Sequence, residues 1–132
     1  MIKSSENKAS ENRASASDAI DNRQLVCWKM NEQVEGLRVE LKDSTFMVFP
    51  YNHLSFARIQ EQESGDLLTI SFTTHDIEVT GRNLREIGVA LQKKTVDWIR
   101  ETPTRYATLT AKDSAFINAI ELKDAAERAR AS

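Results

Sequence analysis

The sequence lacks most of what announces a chemistry. It has one cysteine, Cys27, in 132 residues, so no intramolecular disulfide can form and a reducing compartment suits it. Its two histidines, His53 and His75, belong to no His-x-His or Cys-x-x-Cys pattern. A metal site wants three or four ligands, and only Asp76 and Glu78 stand near His75, so no metal and no cofactor are expected. The four glycines are scattered, which excludes a phosphate-cradling loop or a dinucleotide fingerprint. No window approaches the ~18 apolar residues of a membrane span. The chain turns polar at Lys3 with no apolar run behind it, so no secretory signal is expected, and cytoplasm follows by elimination. An excess of charge of either sign is lacking too. The net charge is −2 and the pI about 5.7, with acids and bases interspersed. No basic footprint for duplex nucleic acid appears.

What is present divides at about residue 22. Residues 1–22 are mostly Ser, Ala, Asn, Glu and Lys, with Ile2 and Ile20 their only large aliphatics apart from Met1. Such a segment buries too little apolar area to offset the entropy of ordering it, so a disordered tail is predicted. It holds an imperfect five-residue repeat, residues 6–10 and 11–15, too short for a solenoid. Ser10 and Ser15 each follow a basic residue two positions earlier, a pattern a kinase could read but one common by chance. A single globular domain is expected over 23–122, with a helical or disordered tail at 123–132.

The domain reads mainly as strands. Leu37, Val39 and Leu41 alternate with Arg38, Glu40 and Lys42, the period of a half-buried strand. Residues 45–49 are continuously apolar and read as a strand covered on both faces, ended by Pro50. With a short polar turn between them the two make a hairpin. Further strands are expected at 24–30, 54–59, 68–73, 77–79 and 96–100, with Gly65 at a turn tip. One helix is expected near 83–95. Asn83 suits its N-cap, Glu86 sits three residues on, and Leu84, Ile87, Gly88 and Leu91 share a face. Gly88 costs helix propensity, which a close approach to the sheet would explain. Lys93 and Lys94 suit the helix C-terminal dipole. Residues 113–130 fit a strand or a helix, with an Asp124–Arg128 pair favouring the helix. The predicted class is α+β, mainly β: an antiparallel sheet or small barrel of about five or six short strands with one packed helix. Pleckstrin-like and small Sm-like barrels share that description at the level of fold alone, which does not deliver function.

The irregular stretch Pro50-Tyr51-Asn52-His53 offers an aromatic, an amide and an imidazole after a buried strand, so Tyr51, Asn52 and His53 are candidate binding residues. The plainer reading packs Tyr51 over the end of the sheet and uses Asn52 for the turn. His75 is a second strand-end candidate. Arg82 and Arg85 flank the helix start and, with Lys93 and Lys94, could bind an acidic partner, although a solvated helix face is the commoner outcome. Trp28 and Trp98 are expected in the core, and Cys27 as a small buried hydrophobe. Glu61 and Glu63 are expected to be simply solvated. Three functions are open: an interaction module for a protein partner or a second copy, an oligonucleotide-binding barrel, or a small hydrolase using His53 or His75. The first predicts an apolar surface patch and no deep polar cleft. The second needs exposed aromatics or a basic channel, and nucleic acid is the less expected partner. The third needs both imidazoles in one pocket.

Overall fold

The structure, a computed structural model, describes residues 26–110 and 112–126. The expected tail at 1–22 and Arg128 of the expected Asp124–Arg128 pair lie outside them. Eight strands and one α-helix are present among the described residues: β1 (Trp28–Met30), β2 (Gly36–Glu40), β3 (Phe46–Pro50), β4 (Leu54–Gln62), β5 (Gly65–Phe72), β6 (His75–Arg82), α1 (Arg85–Gln92), β7 (Val96–Ile99) and β8 (Phe116–Asp124). The class is α+β, mainly β. The strands make two four-stranded sheets, ordered β1-β7-β2-β3 and β4-β5-β6-β8, and do not close into a barrel. The single sheet or barrel of five or six strands is corrected accordingly. The short 3-10 turn Tyr51–His53 carries the chain from β3 to β4, from one sheet into the other. Every strand pairing is antiparallel except that of β2 with β7.

The alternation read from the sequence produces the core. Leu37 and Val39 of β2 meet Leu68, Ile70 and Phe72 of β5 and Ile77 and Val79 of β6 in one buried cluster. Phe49 joins it from β3, its ring 5.0 Å from that of Phe72. The helix covers one side with Ile87, Ala90 and Leu91. Burying an aliphatic side chain is worth about 1.5–3 kcal/mol, so these inward positions dominate the fold's stability.

Three expectations change and one open choice is decided. Strand β3 is not covered on both faces: Phe46 and Val48 are 59% and 56% exposed. It is an edge strand, and only Phe49 is fully inside. Asn83 does not cap the helix. Its φ is 58°, in the left-handed region where asparagine is enriched, and its amide donates to the Lys112 and Ser114 carbonyls. Leu84 is the N-cap residue, and its N–H donates to the Asp66 carboxylate at 3.0 Å. The helix stops at Gln92, before the two lysines. Lys94 turns left-handed, and the N–H groups of Lys94 and Thr95 donate to the Leu91 and Ala90 carbonyls. The C-terminal segment, which fitted either strand or helix, is a strand through Asp124. Pairing Ile120 with Val79 and Leu122 with Ile77 completes the apolar rows of β6, and this tertiary gain overrides helix propensity.

The glycines of β6 and α1 behave oppositely. A Cβ at Gly81 would overlap the Phe116 carbonyl, where β8 crosses a bulge. A Cβ at Gly88 would meet only the Leu68 side chain at 3.9 Å, an ordinary contact, so close packing does not explain this glycine. Gly88→Ala is therefore expected to raise the unfolding free energy by about 1 kcal/mol. Gly81→Ala is expected to lower it by about 2–3 kcal/mol or to prevent folding. Urea denaturation of both variants checks the pair, and equal effects would show that the strand crossing has slack.

Candidate binding cleft

Beside the helix start lies a cleft of about 890 Å³. Three distant segments build it. Strand β1 supplies Trp28 and Met30, the β4–β5 turn supplies Glu61, Glu63 and Asp66, and the helix and its approach supply Arg82, Arg85, Glu86, Val89 and Lys93. Asp113 closes one side. The wall is apolar and open: Met30 is 55% exposed and Val89 45%. Trp28 lies half-buried, packed against the core on one side.

The rim carries five carboxylates and three cations. Most of the cations are committed. Arg85 grips Glu61 in a two-pronged pair, Nε to Oε2 at 3.0 Å and Nη2 to Oε1 at 2.7 Å. That guanidinium holds the Glu61 carboxyl below its usual range, so Glu61 is not simply solvated. Arg82 donates to the Ala107 carbonyl and lies 4.6 Å over the Phe116 ring. Asp66 is spent on the helix N-terminus. Glu63, Glu86 and Asp113 stay without an ion pair among the described residues, and Lys93 lines the same cleft. The cleft is thus an apolar slot under a net acidic rim.

The candidates named from sequence fall into two places. Arg82 and Arg85 line the cleft. Tyr51, Asn52, His53 and His75 sit at the opposite end of the β5–β6 hairpin, where the His53 carbonyl accepts the Thr73 N–H. Strands of this length span roughly 23–25 Å at about 3.3 Å per residue, so the two groups do not share one site. Tyr51 is buried, and its hydroxyl donates to the Val96 carbonyl at 2.6 Å. Asn52 and His53 are exposed. The His75 ring lies edge-on to Phe49 at 5.6 Å, with Nδ1 2.9 Å from the Thr74 hydroxyl. Lys94 does not line the cleft.

The remaining chemistry is sparse. The Cys27 thiol is buried against the Ala115 carbonyl, and burial pushes its pKa up, away from thiolate reactivity. Among the described residues no group of three or more His, Cys, Asp or Glu could hold a metal. Asp76 accepts from Ser71 and Glu78 pairs with Lys123. No helix of the described residues is long and apolar enough to cross a membrane. On the outer face of the first sheet Arg38 lies over Phe46 and Arg100 over Trp98. Those rings already carry cations, and Trp98 is a half-buried surface residue rather than core. No family model matches the chain, and neither a curated protein nor a solved structure matches it.

Sequence reasoning missed Trp28, Met30 and Glu63 as cleft residues. Two are apolar residues indistinguishable from core in a strand of three, and Glu63 sits in a polar turn like many others.

Burial raises the Tyr51 pKa, with the nearby Asp97 adding to it. The folded value lies above the unfolded one, so this stability is complete below about pH 10 and fades as pH rises further. Tyr51→Phe should cost about 1–2 kcal/mol at neutral pH, because the Val96 carbonyl loses its partner. The cost should shrink above pH 10. Denaturation midpoints of both proteins between pH 7 and about 11 check this, and a gap constant with pH would show that the phenol ionises equally in both states.

Proposed function

We propose that the chain is an interaction module that receives a protein segment in this cleft, one presenting an apolar side chain flanked by basic residues. The carrying observation is the open wall of Trp28, Met30 and Val89 beneath carboxylates that lack counter-ions. Open apolar surface inside a concave polar rim is the usual form of a recognition site. An apolar anchor would displace water from that wall. Basic flanks would meet Glu63, Glu86 and Asp113, a contact that steers encounter and selects sign more than it adds affinity. The hydrolase reading draws no support from the cleft, which neither histidine lines. The oligonucleotide reading finds its aromatic platforms already stacked with arginine and the rim of the cleft acidic.

The test uses Trp28 as reporter in a Trp98→Phe background. Titration with acetyl-Arg-Leu-Arg-amide to about 1 mM, the weak end of specific recognition, is expected to shift the emission to the blue. Acetyl-Glu-Leu-Glu-amide is expected to leave it unchanged. Glu63→Gln combined with Glu86→Gln should weaken the basic peptide at least about threefold, and added salt should do the same. Equal response to both peptides, or none, would refute the reading.

A further inference from the structure

Strands β4 and β8, of nine residues each, are the longest of the strands at the sheet margins. Strand β1 has three residues and β3 five, ending in Pro50, which cannot donate to a ladder. Strand β8 has nine but is covered along part of its length. The Thr102 N–H donates to the Ile117 carbonyl, and the Ile120 N–H donates to the Glu101 carboxylate at 2.8 Å. Strand β4 also has nine residues, without proline, and only β5 pairs with it among the described residues. Natural proteins protect such edges, because a free row of N–H and C=O groups templates another strand.

The outward row can be read from the turn. Glu63 and Ser64 alone join β4 to β5, so Gln62 and Gly65 form the last hydrogen-bonded pair. Alternation then turns Gln60 and Arg58 back toward β5 and leaves the backbone groups of Ala57, Ile59 and Glu61 aimed outward. Strand alternation assigns Phe56, 50% exposed, and Arg58 to the outer face, two residues apart, although Arg58 at this edge also lines the groove beside the helix.

We propose that β4 pairs antiparallel with β4 of a second copy of this chain about a two-fold axis at Ala57, merging the two sheets edge to edge. The side chains select this register. Centring the axis on Ala57 sets Phe56 of each copy opposite Arg58 of the other, twice, with a ring facing a guanidinium on the same face. Such cross-strand and cation–π pairs are favourable. Centring on Arg58 would oppose two like charges, and centring on Ile59 would oppose Phe56 to Gln62. The opposite face tolerates the approach. Its members nearest the axis are the small Ala57 and, on the flanking helix, Gly88, which with Val89 and Gln92 form a groove along the strand.

Light scattering of the full chain from about 1 to 200 µM, a range where mass action reveals a moderate dimer, is expected to show a concentration-dependent dimer. Amide exchange should slow at Ala57 and Ile59 over the same range. Mild oxidation of Ala57→Cys should give a cross-linked dimer, since opposed Cα atoms in such a pair lie about 5.5 Å apart. Ile59→Cys, opposite Ser55 in this register, should not cross-link. Arg58→Glu should weaken the dimer at least about tenfold by removing the ring–cation pairs. A monomer throughout the range would overturn the proposal. So would cross-linking through residue 59 and not 57, or a dimer indifferent to Arg58→Glu with Ala57 exchanging fast. None of these readouts depends on the cleft.

Discussion

The meeting of Asp66 with Gly81 organises the end of the molecule where the cleft lies. These residues pair across β5 and β6, and three backbones converge on them. Gly65 enters β5 with φ at 139°, and a Cβ there would sit 2.9 Å from the Gly81 carbonyl. Gly81 in turn leaves no room for a side chain beneath β8. The Asp66 carboxylate reaches past this crowding to the Leu84 N–H and sets where the helix begins. Turn, helix start and β8 are thereby fixed to one another. The cleft is the space they leave beside β1.

This arrangement explains why the central strands were readable and the site was not. The alternation of Leu68, Ile70 and Phe72 with polar residues reports a local fact, one face in and one face out, and period two encodes it directly. The hairpin of β2 and β3 was equally legible from its turn. What failed depended on partners far along the chain. Phe46-Met47-Val48-Phe49 looks doubly covered, yet whether a strand is central or at an edge is decided by sheet order, which no local pattern carries. The helix cap comes from Asp66, in a strand upstream, while Asn83 took a different task that its short side chain also suits. Residues 113–124 held both periods at once, and the apolar rows of β6 decided between them.

The site follows the same logic. Arg82 and Arg85 were found because they cluster in sequence at a helix start. Their roles were not, since Arg85 grips Glu61 while Arg82 stacks on Phe116 and donates to the Ala107 carbonyl, contacts that hold both guanidinium groups in place. Five carboxylates against three cations make the rim net acidic, and the Arg85–Glu61 pair decides which carboxylates stay unpaired.

The helix joins the two surfaces. Arg85 and Val89 line both the cleft and the groove beside β4. A side chain pressed on Val89 from the cleft and a second chain laid along β4 would contact the same turn of α1, whose inner face is locked by Ile87, Ala90 and Leu91. Packed interiors of this kind resist small displacements, so any coupling between the two sides would run mainly through exposed side chains. Arg85 is the natural carrier, since its pair with Glu61 spans the end of β4 and the start of the helix. Any coupling is reciprocal, because a segment that favours the dimer must bind the dimer more tightly by the same factor. The physical size of that coupling is set by how far the Arg85–Glu61 pair must shift, and an exposed pair shifts at little cost.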